Sequence, residues 1–295
     1  MPKAPGFKIV KGMKFAPVFD EESIVSSLEY QPADDDIFIV TYPKNGTTWT
    51  QQICILLQHG GQLPDDVLSD GLYKYSPFLE KMGASVLKGM KKPYTIKTHI
   101  EADAHPWNPN SKYIVVLRNA KDAAVSFYYH QTMFPFYGIE DMSWKDFFEY
   151  WLKGDVECGS YFDWILGWWS KRSLDNIHFV LYEDMKCNPE TEITKIAEFL
   201  NITYTDEIIK NTIGKSSFSF MHKSVNEQKV RGQQSLPDEW QVEESKMKFV
   251  RKGIVGDWRN HFNADQNQRL EKLFHEKFDG TGLEHLWDNY NIFTE

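Results

Sequence analysis

The chain has 295 residues, of which 41% are hydrophobic and 15% are aromatic, and its formal net charge is −9 at pH 7. This composition excludes a disordered chain, and the acidic balance argues against non-specific binding to nucleic acid or to an anionic membrane. A phosphorylated ligand must therefore meet a local basic site.

Four apolar runs of strand length follow one another along the chain. They occupy residues 37–42, 94–98, 113–117 and 177–182, and they are rich in β-branched and aromatic side chains. Because these runs are continuously apolar rather than alternating, they predict strands that are buried on both faces, as in a parallel sheet.

Segments with helical patterns separate these runs. Each has apolar residues at helical spacing, and some follow a capping residue or a helix-compatible proline. The helices are expected to begin after Gly46, Asn119, Ser143 and Asn188, and a last one carries the stripe Leu270, Leu273, Phe274 and Phe278. The order of strands and helix-length crossovers predicts an α/β fold, a single domain over residues 1–295 with a central parallel β-sheet flanked by helices.

The clearest chemical signal is the segment 42–49, Tyr-Pro-Lys-Asn-Gly-Thr-Thr-Trp, which joins the first predicted strand to a helix. The backbone N–H groups of such a turn, together with the helix dipole, favour an anion. Gly46 allows the backbone to approach a phosphate closely, and Lys44 adds a positive charge. Thr47 and Thr48 add hydroxyl donors. The alternative interpretation of this segment is an ordinary helix start in which Lys44 has no functional role.

The segment 42–49 also differs from the P-loop pattern G-x-x-x-x-G-K-S/T. It has one glycine, and its lysine precedes that glycine. A kinase that uses a magnesium nucleotide therefore loses its main support, although a nucleotide-dependent kinase of similar fold remains the alternative enzyme. An inactive nucleotide-binding module is the alternative outside enzymes, but the presence of Lys44 and His99 argues against it.

The segment 42–49 resembles the phosphosulfate-binding loop of the cytosolic sulfotransferases, in which serine is more usual at the position of Asn45. Further matches to this family run in order along nearly the whole chain, at residues 97–99, 118–126, 182–189 and 251–258. The resemblance implies a P-loop-like site for 3′-phosphoadenosine 5′-phosphosulfate (PAPS). It implies transfer of the sulfuryl group to a hydroxyl of a small acceptor, leaving adenosine 3′,5′-bisphosphate (PAP), with no metal ion.

PAPS has two separate anionic ends, and the resemblance implies a cluster for each. The cluster for the 5′-phosphosulfate comprises Lys44, Asn45, Gly46, Thr47, Thr48 and Trp49. The cluster for the 3′-phosphate comprises Arg118, Ser126, Arg251, Lys252 and Gly253, and arginine suits bidentate recognition of phosphate. The residues expected around the adenine and beside the nucleotide are Trp49, Tyr182, Ser216, Phe218 and Phe249. An ion pair with Asp122 is the alternative for Arg118, and core packing is the alternative for Trp49.

His99 is the candidate general base. It lies two residues past Lys97, on the same side of an extended chain, so an ammonium group and an imidazole meet at one strand end. A histidine with a pKa near neutrality suits removal of a proton from an attacking hydroxyl. Lys44 and Lys97 can stabilise negative charge during an in-line transfer, and Ser126 completes the predicted catalytic set.

The acceptor pocket is less distinct in the sequence. Its candidate residues are His99, His130, Phe19, Phe78 and Phe134, with Phe15, Phe136 and Tyr137 as further aromatic candidates. Core packing is an equal alternative for each ring. The acceptor is expected to be a phenol or an alcohol, with catecholamines and sterols both in range. Residues 214–256, which are polar and weakly periodic, predict a lid or binding loop that orders on nucleotide binding.

Three features bear on location and partners. Cys54, Cys158 and Cys187 are widely spaced, which favours a reducing compartment. Residues 1–14 lack the apolar run of a signal peptide, and no segment reaches the ~18 apolar residues of a membrane helix. We therefore expect a cytoplasmic enzyme with a small-molecule partner and neither nucleic acid nor membrane.

Residues 259–268 depart from the segment K-x-x-x-T-V-x-x-x-E through which many cytosolic sulfotransferases pair. Asn263 and Ala264 replace the Thr-Val pair, and Gln268 replaces the acidic residue. The loss of the apolar centre and of an ion pair predicts a monomer, or a dimer built from another surface. The alternative is that Asn263 pairs with its symmetry mate and thereby preserves the dimer.

Overall fold

A computed structural model describes residues 3–234 and 236–293 of the chain. Four parallel strands form the central sheet in the spatial order β4-β3-β5-β6. They are β3 (Ile37–Thr41), β4 (Ile96–Thr98), β5 (Lys112–Leu117) and β6 (Ile177–Leu181). The four predicted strands and their parallel pairing are confirmed, although β4 is shorter than the sequence pattern indicates.

The two faces of the sheet are buried under separate cores. Along β3, Phe38 and Val40 pack into a large core, whereas Ile39 between them packs into a smaller one on the other face. In β5, Val115 packs into the large core and Val116 into the smaller one. Since successive side chains of a strand point to opposite faces, only continuously apolar strands can serve both cores, which accounts for their unbroken hydrophobic runs.

Helices cover both faces of this sheet, and a short hairpin precedes it. The hairpin pairs β1 (Lys8–Val10) with β2 (Met13–Phe15). The first six helices are α1 (Glu21–Leu28), α2 (Thr47–Gln58), α3 (Asp65–Asp70), α4 (Leu79–Met82), α5 (Ala120–Met133) and α6 (Trp144–Leu152). The others are α7 (Tyr161–Trp169), α8 (Tyr182–Cys187), α9 (Pro189–Phe199), α10 (Asp206–Lys215), α11 (Phe218–Gly232) and α12 (Ala264–Phe278). Among the described residues, no helix is long and apolar enough to cross a bilayer.

The predicted helix starts are confirmed where a capping side chain defined them. The Asn119 side chain accepts a hydrogen bond from the Asp122 N–H, and the Ser143 side chain accepts one from the Asp146 N–H. Pro189 occupies the first turn of α9. These caps satisfy N–H groups that have no partner inside the helix, so their positions are decided by local chemistry.

Residues 214–256, predicted as a lid or binding loop, contain the helix α11, and the prediction of a loop over this part is wrong. The Ser217 side chain caps α11 by accepting from the Phe220 N–H. Met221 and Val225 are its buried residues, while Gln228 and Lys229 continue the same face into a cavity. Because that face turns polar over a cavity, α11 lacks the uninterrupted apolar stripe by which helices are recognised in sequence.

The carboxyl ends of all four parallel strands meet at one edge of the sheet. Beyond them come the loop after Thr41, then His99, Arg118 and Tyr182. Open α/β sheets bind ligands at this edge, because the loops that leave it converge there. The residues singled out in the sequence for their chemistry are thereby brought together.

Candidate active site

A cavity of about 790 Å³ opens at the carboxyl edge of the sheet. It is lined by all the residues predicted for the site except Asn45, namely Lys44, Gly46, Thr47, Thr48, Trp49, Phe19, Phe78, Lys97, His99, Arg118, Ser126, His130, Phe134, Tyr182, Ser216, Phe218, Phe249, Arg251, Lys252 and Gly253. Asn45 is fully buried beneath the loop, and its amide has no hydrogen-bond partner. Phe136 and Tyr137 also line the cavity, whereas Phe15 packs in the core.

The loop between β3 and α2 forms one end of the cavity. Its backbone takes positive φ angles at Lys44 (71°) and at Gly46 (109°), which precedes the first turn of α2. A Cβ atom on residue 46 would lie 3.0 Å from the Tyr182 ring, so glycine is required both for the angle and for the space. The first N–H groups of α2 have no partner inside the helix, and they create an anion site at this end.

Arg118 lines the cavity next to this loop and contacts its backbone. Its Nη1 donates to the carbonyl oxygen of Lys44 at 3.0 Å, and its guanidinium lies 4.4 Å from the centroid of the Tyr182 ring. Its Nε is buried without a partner. Asp122, the alternative partner, instead accepts hydrogen bonds from the backbone N–H groups of Gly256 and Trp258. The guanidinium is therefore held in place by backbone and ring contacts rather than by a carboxylate.

Arg251 and Lys252 both form ion pairs with Asp257, which was not among the site residues predicted from the sequence. Its two carboxylate oxygens accept from Arg251 at 2.6 Å and from Lys252 at 2.7 Å. Burial alone would raise the pKa of Asp257, but hydrogen bonds from Lys252, Arg251 and Asn260 hold it well below its usual range. Gly253 follows with a φ of 61°, and a Cβ there would lie 2.6 Å from the Phe218 ring. Residues 251–253 thus form a cationic edge of the cavity that packs against the start of α11.

The His99 imidazole is held in one orientation. Its Nδ1 lies 2.6 Å from the carbonyl oxygen of Thr41, so the N–H on Nδ1 donates to that oxygen and the Nε2 lone pair is left available. The Thr41 hydroxyl contacts both this Nδ1 (3.1 Å) and the Thr47 hydroxyl (2.6 Å). Burial, together with the charge of Lys97, lowers the pKa of His99 well below its ordinary value. The ring is therefore neutral at physiological pH and able to accept a proton.

A buried lysine, Lys97, and a partly buried one, Lys44, flank the imidazole. Lys97 Nζ lies 3.6 Å from the centroid of the Phe78 ring, and Lys44 Nζ lies 4.3 Å from that of Phe249. Burial, followed by repulsion from Lys97 and other cations, lowers the pKa of Lys44 to about 7. Burial also lowers the pKa of Lys97. Such shifts indicate crowded amino groups whose charged forms a bound anion would stabilise.

Aromatic rings form the other end of the cavity around His99. The Phe78 ring lies 5.0 Å from the imidazole and 5.1 Å from the Phe19 ring. The His130 ring lies 5.0 Å from Phe134, and its buried Nδ1 has no hydrogen-bond partner. An apolar skeleton can pack on these rings, and His130 can bond one polar group of a ligand.

Some cavity residues escaped the sequence analysis. They are Tyr73, Lys81, Glu157, Lys186 and Lys229. Lys186 lies 5.5 Å from the centroid of the Trp49 ring, and its place in the matched segment 182–189 was a usable signal. The other residues come from separate elements with no motif of their own. Among the described residues, no group of three His, Cys, Asp or Glu side chains could hold a metal ion.

Comparison with known proteins gives consistent matches. The family model described as a sulfotransferase domain matches residues 34–282. Human sulfotransferase 1C2 is 33% identical over 289 residues, with 94% of each chain covered. Rat sulfotransferase 1 family member D1 is 35% identical over 280 residues, with 91% of each chain covered.

Solved structures share the fold of this chain. Mouse sulfotransferase SULT7A1, complexed with PAP, superposes with a TM-score of 0.76 at 28% identity, covering 96% of this chain and 98% of that one. Retinol dehydratase, in complex with androsterone and the inactive cofactor PAP, has a TM-score of 0.74 at 21% identity, covering 96% of this chain and 91% of that one. The second match bears on the fold alone.

Proposed function

Because the chain belongs to the cytosolic sulfotransferase family and is a PAPS-dependent sulfotransferase, we propose that it sulfates a hydroxyl group of a small, largely apolar acceptor with His99 as the general base. The observation that carries this proposal is the His99 imidazole, held by Thr41 between the anion-binding loop and a cavity lined by aromatic rings. A phenol or an alcohol fits such a cavity.

The residues present fit a nucleotide with two anionic ends. Gly46 and Gly253 have no side chain and take positive φ angles, so the backbone at both positions can approach a phosphate closely. The unpartnered Nε of Arg118 and Nε1 of Trp49 are buried donors that a ligand can satisfy. We assign the 5′-phosphosulfate to residues 44–49 and the 3′-phosphate to Arg118, Ser126 and residues 251–253.

The adenine and the acceptor are assigned to the remaining walls. Residues beside the adenine and nucleotide are Trp49, Tyr182, Ser216, Phe218 and Phe249. The acceptor is assigned to Phe19, Phe78, His99, His130 and Phe134. The Trp49 and Tyr182 rings meet edge to face with centroids 5.5 Å apart, which offers a flat base a face and an edge to contact.

The chain's own residues supply the acid–base chemistry and the charge stabilisation. The donor supplies the sulfuryl group, and PAP is its leaving group. We propose that His99 Nε2 accepts the proton of the acceptor hydroxyl while that oxygen forms its new bond to sulfur. The Thr41 carbonyl holds Nδ1–H, so the imidazolium that forms remains oriented. Lys44 and Lys97 stabilise negative charge on the transferred group, and Ser126 lines the same cavity.

The low pKa of His99 in the free protein is consistent with this role. Burial lowers the pKa first, and the positive charges of Lys97 and Lys44 lower it further. An anion bound at these lysines offsets their charges, which raises the basicity of His99 when the donor is in place. The base is thereby strengthened only in the complex that can react.

Substitution of His99 tests the proposal. We expect His99→Ala to lower kcat for a neutral phenol such as β-naphthol by ~100-fold or more, because proton transfer is lost. PAP affinity measured by calorimetry should be retained. His285→Ala, which removes an exposed histidine outside the cavity, is the control. Turnover of His99→Ala at the wild-type rate would remove His99 from the mechanism.

A second measurement separates this function from that of a kinase. PAP should raise the melting temperature of the protein far more than ATP does, with no requirement for Mg²⁺. We also propose a cytoplasmic location, which the description of the family as cytosolic supports. That residues 1–295 act as one domain remains a prediction.

A further inference from the structure

Three lysine side chains converge on the phenol ring of Tyr73 at the acceptor end of the cavity. Their Nζ atoms lie 4.7 Å (Lys229), 5.4 Å (Lys81) and 5.9 Å (Lys97) from the ring centroid. Lys229 Nζ also donates to the Tyr73 hydroxyl at 3.3 Å. Because the lysines come from α11, α4 and β4, the fold rather than one motif brings these charges together.

Among the residues that the structure describes, no Asp or Glu forms a direct ion pair with Lys81, Lys97 or Lys229, although Glu80 acts electrostatically on Lys97. The nearby Glu80 accepts from the backbone N–H of His99, and burial raises its pKa to about 7. Glu157 lines the cavity but accepts from the Tyr137 hydroxyl, and burial raises its pKa.

The cluster lies close to the base. The Phe78 ring contacts the His99 ring at 5.0 Å and the Tyr73 ring at 6.4 Å, so it links the two. On the other side, the Phe249 ring lies 4.3 Å from Lys44 Nζ and 4.5 Å from Lys229 Nζ. Phe249 thus contacts both Lys44 of the donor end and Lys229 of the cluster.

We propose that the acceptor is anionic: it carries a carboxylate or a similar oxyanion that binds Lys229 and Lys81, at the end of an apolar skeleton whose hydroxyl lies at His99. This inference rests on the proposed function and narrows its substrate class. Lys97 remains part of the catalytic site, and its charge also favours the anion. An amine such as a catecholamine is disfavoured, because its ammonium group would add a like charge.

The ionisation of Tyr73 supports the proposal independently of any ligand. Burial alone would raise the pKa of its phenol, but Lys229, Lys97 and Lys81 lower it to about 6. The positive charges that stabilise the Tyr73 phenolate would also stabilise a ligand carboxylate beside it. Even with Tyr73 ionised, three ammonium groups face one phenolate, so room remains for a second negative charge.

Direct binding tests the inference without turnover. The protein is saturated with PAP, so that a carboxylate cannot occupy the phosphate sites of the nucleotide, and acceptor affinity is measured by calorimetry. The probes are para-hydroxyphenylpropanoate, its nearly isosteric amide para-hydroxyphenylpropanamide, and tyramine. We expect the propanoate to bind about tenfold or more tightly than the amide, and tyramine to bind most weakly. In turnover with PAPS, kcat/KM should follow the same order.

Variants assign the preference to the cluster. Lys229→Gln should remove most of the difference between the propanoate and the amide, whereas Lys229→Arg should retain it. Lys223→Gln, an exposed lysine on the same helix outside the cavity, should leave the difference unchanged. If Lys229→Gln fails to fold, the wild-type affinity ratio and the Lys81→Gln variant decide the question.

The outcomes separate this inference from the proposed function. Equal affinity for the propanoate and the amide, no binding of the propanoate, or tighter binding of tyramine overturns the inference. A preference that survives both Lys229→Gln and Lys81→Gln also overturns it. Sulfation of β-naphthol without preference for the propanoate leaves the proposed function standing. Conversely, tight binding of the propanoate without any sulfation supports the anionic pocket and contradicts the proposed function.

Discussion

Nucleotide binding should cause Lys44 to take up a proton. Burial, then repulsion from Lys97 and Arg118, lowers the pKa of Lys44 to about 7 in the free protein. At about pH 8 only about one-tenth of such lysines are protonated. An anion beside Nζ favours the charged form and raises the pKa again. Binding of PAP at that pH should therefore take up about 0.9 proton at this side chain.

The direction of the pH dependence follows from the same shift. Above about pH 7, and up to the raised pKa in the complex, PAP binding is coupled to protonation of Lys44. PAP affinity should then fall by close to tenfold for each unit rise in pH. Below about pH 7, Lys44 is already charged in the free protein, and its contribution to the pH dependence disappears.

Calorimetry in buffers of different ionisation enthalpy measures this uptake. The observed heat of PAP binding at about pH 8 should vary with the buffer, and the slope gives the number of protons. Lys44→Met should abolish most of the slope, while Lys223→Met, at an exposed position outside the cavity, should preserve it. Heats that are independent of the buffer, or a full slope in Lys44→Met, would refute the assignment of a depressed pKa to Lys44.

Other consequences concern the nucleotide, the helix over the cavity and assembly. Arg118→Ala should weaken PAP binding by about tenfold to a hundredfold, because charged hydrogen bonds to phosphate are lost; unchanged affinity by calorimetry would contradict the placement of the 3′-phosphate. Amides of Phe218–Gly232 should exchange hydrogen more slowly with PAP than without it, and equal rates would show that the helix does not respond. Sedimentation should show a monomer at micromolar concentration; a stable dimer that dissociates on Phe262→Asp or Ala264→Glu would show that the divergent segment still pairs.

Features that depend on local chemistry were predictable from the sequence. The cap at Asn119 needs a side-chain oxygen and an N–H group three residues away, so a short stretch of sequence contains all of it. The segment after β3 is predictable for the same reason, because strand, lysine, glycine and helix follow one another directly. Asn263 shows the limit of such patterns: it lies in the segment that corresponds to the pairing motif, yet its side chain caps α12 through Gln266.

Features that depend on distant partners were not predictable. The role of Asp257 in holding Arg251 and Lys252 requires a turn geometry that the residue order does not reveal. The convergence of lysines on Tyr73 depends on how three elements are placed around one cavity. In the sequence, Lys229 belongs to a polar and weakly periodic stretch, and nothing nearby marks it as a ligand for an anion.

Helix α11 links the two ends of the cavity physically. Phe218 at its start packs against Gly253 of the proposed 3′-phosphate site, and Lys229 near its end donates to Tyr73 at the acceptor site. Few of its side chains are buried, so it has little packing of its own to hold it in place. An anion at either end adds contacts that favour the docked helix, and the second ligand then has less ordering to accomplish. Binding free energies are reciprocal, so PAP should raise the affinity for an anionic acceptor by the same factor as that acceptor raises the affinity for PAP. The neutral amide should show weaker coupling, since it gains no ion pair with Lys229.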